Sequence, residues 1–152
     1  MTRPWSARAL TALLALVAAV ALAGCDEKGV TKAAKGIGTV QSVDCPDKAK
    51  PVDLPSEVTV PLPEGTVVVD VRRGSEHRTV VTGVVPAAEK DTLADLQKAY
   101  QAGGLTLTEG ETEEHDAESN FTGSGVKGRW GIRELTTCSP TATRIDLVVA
   151  PA

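Results

Sequence analysis

The sequence predicts an α+β domain: an antiparallel β-sheet with one packed helix, in the order β-β-α-β-β-β. Three observations point there. Two runs rich in β-branched residues, "TVVVDVR" (66–72) and "HRTVVTGVV" (77–85), stand close together in the chain. One amphipathic stretch, "PAAEKDTLADLQKAYQAGG", follows them. Further strand-like segments at 105–114, 117–123, 126–135 and 143–150, which read as three or four antiparallel strands, complete the chain.

Each element has a local cause. The first two runs flank "RGSE", which reads as a hairpin with Gly74 in the turn. In the amphipathic stretch Leu93, Leu96 and Tyr100 recur at i, i+3 and i+7 and form one apolar stripe. Asp91 or Thr92 is suited to cap its start, and Gly103-Gly104 to stop it. Such a stripe suits core packing against a sheet. In "RWGIREL", alternation puts Trp130, Ile132 and Glu134 on one side of the pleat and Gly131, Arg133 and Leu135 on the other. Upstream, "EVTVPLPEG" is extended but interrupted by Pro61 and Pro63, so it qualifies at most as an edge strand. "CPDKAKPVDLP", with Pro46, Pro51 and Pro55, is loop or extended chain.

The N-terminus has a different character. Arg3 and Arg8 precede an uncharged run from Ala9 to Leu22, after which Ala23, Gly24 and Cys25 lead directly into Asp26, Glu27 and Lys28. Fourteen residues are too few to span a bilayer, which takes about 20. A basic n-region followed by a short apolar h-region is the pattern of a secretory signal. Leu22-Ala23-Gly24-Cys25 resembles the lipobox of bacterial prolipoproteins, a resemblance confined to the first 25 residues. It implies diacylglyceryl attachment to the Cys25 thiol, with fatty acids such as palmitate, and cleavage by a signal peptidase between Gly24 and Cys25. More than one acyl chain gives stable anchoring without a transmembrane helix. The expected organisation is therefore a signal peptide at 1–24, the lipidated Cys25 and a flexible tether or extended segment at 25–56, and the small α+β domain at 57–152. The domain itself resembles no family by its motifs. Asp26 after the lipidated cysteine is similar to an inner-membrane retention signal.

With Cys25 lipidated, Cys45 and Cys138 are left as a pair in an oxidising compartment, and a disulfide between them is expected. The competing metal-site reading lacks a C-x-x-C and has no histidine near either cysteine in sequence. Removal of residues 1–24 leaves 14 basic against 20 acidic side chains, a net charge of −6. That balance disfavours nucleic acid and a polybasic membrane patch.

Chemistry-bearing motifs are weak. "GSGVKG" (123–128) spells G-x-G-x-x-G, but strand-like residues follow it where a dinucleotide site needs a helix. Glu109, Glu111, Glu113, Glu114, Asp116 and Glu118 surround His115 without the spacing of a calcium loop. His77 and His115 are general-base candidates with no nucleophile placed by a motif, and Ser139 lies in "TTCSPT" rather than G-x-S-x-G. Stacking platforms have little to draw on, with Tyr100, Phe121 and Trp130 the aromatics beyond residue 24. The sequence is thus read as a lipid-anchored envelope lipoprotein on the extracytoplasmic face of a cell membrane. Its domain is a non-catalytic binding or scaffold module for an envelope protein or small ligand, without cofactor or metal. The alternative is a membrane-associated hydrolase.

Overall fold

The computed structural model describes residues 42–152, which belong to one compact unit. The signal peptide, the lipobox with Gly24 and Cys25, and nearly all of the tether between Cys25 and Cys45 lie outside the described residues. The elements are β1 (Val67–Arg73), β2 (Thr79–Val85), α1 (Glu89–Ala102), β3 (Thr106–Thr112), β4 (Asp116–Gly123), β5 (Val126–Leu135) and β6 (Ala142–Pro151). They form one six-stranded sheet in the order β1-β2-β6-β5-β4-β3, with every neighbouring pair antiparallel. This is the α+β class expected from the sequence, an antiparallel sheet with one helix, but the β-β-α-β-β-β order is corrected to β-β-α-β-β-β-β: four strands follow α1, because each of the segments after the helix finds its own place in the sheet. The last strand inserts between β2 and β5 and so joins the hairpin to the β3–β5 meander.

Helix α1 lies over β3, β5 and β6. It buries Thr92, Leu96 and Tyr100, with Leu93 partly buried beside them. Opposite them the sheet presents Val81 from β2, Phe121 from β4, Trp130 and Ile132 from β5, and Ile145 and Leu147 from β6. Each such side chain contributes about 1.5–3 kcal/mol of burial. Tyr100 meets Phe121 edge-on at 5.0 Å and Trp130 at 6.5 Å between ring centroids. The expected alternation in β5 holds, since Trp130 pairs with Leu147 and Ile132 with Ile145.

Two local expectations are corrected and one is sharpened. The helix begins at Glu89, with Ala88 as N-cap and no side-chain cap hydrogen bond. Thr92 therefore sits inside the first turn, where its Oγ1 donates to the Ala88 carbonyl at 3.0 Å, the common i−4 bond of a helical threonine. The hairpin loop is 74–78 and includes Gly74 as expected, since Arg73 pairs with Thr79, and the tight turn within it is Ser75–Arg78. Finally, 57–65 forms no strand. Pro61 and Pro63 remove backbone donors, and the segment instead buries Val58 and Val60 in the core.

The sheet's edges are guarded differently. β1 receives a hydrogen bond from the Val52 N–H at the Val68 carbonyl, 2.8 Å. β3 is almost wholly exposed, carries Glu109 and Glu111, and has a register shift between Leu107 and Gly110. Charge and a bulge on an edge strand discourage pairing with another chain. At the bulge a Cβ on Gly110 would press 3.1 Å from Ser119 Cα, so only glycine fits that approach.

Candidate ligand cleft

The pairing registers place the β1–β2 turn, the β4–β5 turn and the end of β6 together at one end of the sheet. Between them lies a cleft of about 710 Å³, within the range of small-molecule sites. Val126, Val149 and Pro151 line its apolar part, while Arg73, His77 and Arg78 supply basic groups. Arg73 pairs with Glu57 and Arg78 with Glu76. The Glu57 carboxyl lies below the usual glutamate range, first through a backbone hydrogen bond at Glu57 and then through the Arg73 charge.

The turn has a defined geometry. Glu76 and His77 both have φ of 57°, and Arg78 N–H donates to the Ser75 carbonyl at 3.2 Å. Two successive left-handed residues make a type I′ turn, for which Asn-Gly is the preferred pair. A glutamate and a histidine hold those positions at a cost of about 1–2 kcal/mol each.

His115 is at the opposite end of the sheet, in the β3–β4 turn. Its Nδ1 is 2.9 Å from Glu134 Oε2, and the Glu134 N–H donates to the His115 carbonyl at 2.9 Å. A carboxylate only accepts, so Nδ1 bears the proton in this contact. Neither His77 nor His115 is hydrogen-bonded to a hydroxyl among the described residues. The acids around His115 are spread along two strands. Arg133 reaches Asp116, its direct cross-strand neighbour, at 3.1 Å, and Arg129 pairs with Glu118 on the diagonal. Among the described residues no three His, Cys, Asp or Glu side chains are grouped closely enough to hold a metal ion. "GSGVKG" supplies the β4–β5 reversal, with positive φ at Gly123, Ser124 and Gly125.

On the sheet face away from α1, Arg144 Nε donates to Asp146 Oδ2 at 2.6 Å, and Thr82 Oγ1 donates to Asp146 Oδ1 at 2.8 Å. Side chains 144 and 146 are 7% and 18% exposed, so this pair is far drier than the other arginine pairs. Within the core, Tyr100 Oη and Trp130 Nε1 are buried and find no hydrogen-bond partner among the described residues. Burial pushes the Tyr100 phenol well above its ordinary pKa.

Cys45 and Cys138 are joined by a disulfide, with Cα atoms 5.6 Å apart. Cys138 lies in the β5–β6 loop, at the end of the sheet opposite the cleft. β5 alone, ten residues long, puts about 30 Å between the two ends.

Of the general-base candidates singled out from the sequence, the cleft contains His77 and not His115; Gly74 and, from "GSGVKG", Gly125 and Val126 also line it. Arg73, Arg78 and Glu57 went unnoticed there. Their one visible signal is the charge density of "RRGSEHR", which reads as an ordinary solvated turn. No protein-family model matches the chain, and comparison with curated proteins and with solved structures finds no similar one.

Proposed function

We propose that the chain is a lipid-anchored extracytoplasmic lipoprotein whose α+β domain is a non-catalytic binding or scaffold module. The supporting observation is the Cys45–Cys138 bridge. It accounts for both cysteines other than Cys25, in a bond that persists outside the cytoplasm. It also fastens the chain, twenty residues after the lipidated cysteine, to the end of the sheet away from the cleft. Twenty residues reach at most about 70 Å, so the domain stays near the bilayer, tethered by its Cys138 end. The binding reading is preferred to a hydrolase because, among the described residues, no serine, threonine or cysteine side chain is hydrogen-bonded to His77 or to His115, although Glu134 holds His115 as a carboxylate holds a general base. Neither is set up to activate a nucleophile.

Cell fractionation tests the anchor. The native chain should partition with membranes and take up labelled palmitate, and Cys25→Ala should lose both. Label retained in Cys25→Ala refutes the lipidation site, and a native chain recovered wholly in the soluble fraction refutes the anchor.

A further inference from the structure

Arg73 and Arg78 flank the β1–β2 turn and bring two guanidinium groups to one cleft. Each is held by its glutamate through a terminal nitrogen, to Glu57 and to Glu76. A guanidinium has five N–H donors, so a contact at one nitrogen leaves donors for a second anion. Their side chains are 73% and 53% exposed. Ion pairs this wet are weak, and an incoming anion can share or replace the glutamate at small cost. His77 adds a ring nitrogen on the same rim. Beneath, Val126, Val149 and Pro151 offer apolar surface next to the charged groups.

The strained turn belongs to the same feature. Non-glycine residues in left-handed conformations persist where surrounding structure over-determines them, and they concentrate at ligand-binding positions. Of the three such residues, Glu76 and His77 line the cleft, and Ser124 sits in the adjoining β4–β5 turn. An Asn-Gly turn would relieve the strain but would remove both side chains from the rim.

We infer that this cleft binds a small amphipathic anion, a carboxylate or phosphate monoester on an apolar body. The head group lies between Arg73 and Arg78, and the apolar part lies on Val126 and Pro151. This assignment rests on the binding-module reading above and gives that module a ligand class.

Amide NMR on the purified full chain tests it. Octyl phosphate and octanoate are titrated as soluble probes, octylamine as their cationic counterpart, and phosphatidylcholine vesicles containing phosphatidic acid as a membrane source of the same phosphate-monoester chemistry. The soluble anions should shift the amides of His77, Val126 and Val149, and octylamine should not. Arg73→Gln combined with Arg78→Gln should weaken binding about tenfold with an unchanged urea midpoint. A response confined to the anionic vesicles supports the site and names a lipid head group as its ligand. No shift with any anion, equal binding of octylamine, or undiminished affinity in the double variant overturns the assignment. Membrane fractionation of Cys25→Ala is independent of all these outcomes, so failure of the ligand and failure of the anchor are distinguishable.

Discussion

The Phe121 ring lies across Gly128 of the neighbouring strand, and a Cβ at Gly128 would come within 2.5 Å of Phe121 Cζ. The glycine is a packing surface. It also brings the backbone close to the Val148 carbonyl on the other side, leaving no room for a methyl group. Gly128→Ala should therefore destabilise the domain by about 3 kcal/mol, read by urea unfolding followed through Trp130 fluorescence. Adding Phe121→Leu should recover part of that loss by vacating one of the two obstructions. A Gly128→Ala variant of native stability would contradict the packing described.

Tyr100 provides a pH probe, because it is the sole tyrosine of the chain. Its phenol is held neutral by burial, so the folded pKa lies above the unfolded value of about 10. The folded state retains the proton that the unfolded state releases. This contribution to stability is complete below about pH 10 and declines as pH rises from there toward the folded pKa. Phenolate absorbance in native buffer should appear at higher pH than in urea, accompanied by alkaline unfolding. Coincident titration curves would show a solvated phenol.

The arginine pairs should separate by burial. Replacing Asp146 with alanine leaves the buried Arg144 charge and the Thr82 hydroxyl without this carboxylate. Such a change costs about 3–5 kcal/mol. Asp116→Ala, at the exposed pair with Arg133, should cost no more than about 1 kcal/mol. Chemical denaturation of the two variants side by side decides the point, and equal losses would mean that burial does not set the value of these pairs.

The disulfide closes a span of 93 residues, for which chain entropy sets an upper contribution of about 4–5 kcal/mol. Cys45→Ser with Cys138→Ser should lower stability by about 2–4 kcal/mol. Thiol counting on denatured, unreduced protein carrying the lipid should find no free cysteine. Two free thiols would refute the pairing.

Relief of the β1–β2 turn is the opposite case. Glu76→Asn with His77→Gly should raise stability by about 1–2 kcal/mol, since both replacements suit positive φ. Thermal unfolding measures it. An unchanged or lowered midpoint would place the strain elsewhere.

Much of the fold was legible because its causes are local. β-branched runs, a stripe at helical spacing and two terminal glycines specify strands, helix and stop from neighbouring residues alone. The misplaced details are those that non-local contacts decide. Thr92 has the residue type of a cap, yet packing draws the helix start back to Glu89 and turns its hydroxyl to Ala88. Gly74 is the residue a turn favours. The pairing of Val71 with Val81 and Arg73 with Thr79 nevertheless moves the left-handed positions to Glu76 and His77.

The sequence by itself determined the hairpin, the helix and the run of strands after it, one strand short in their count, and it left Cys45 and Cys138 as partners once Cys25 was read as a lipidation site. Only the tertiary structure decided that β6 lies between β2 and β5, and that the β1–β2 turn, the β4–β5 turn and the last residues of β6 meet around a cleft. Periodicity along a strand reports which face is buried but not which strand lies alongside. That choice depends on fitting Trp130, Ile145, Leu147 and Phe121 together beneath one helix. A site made of Glu57, Arg73, His77 and Val149 exists only after those distant segments have been brought into register.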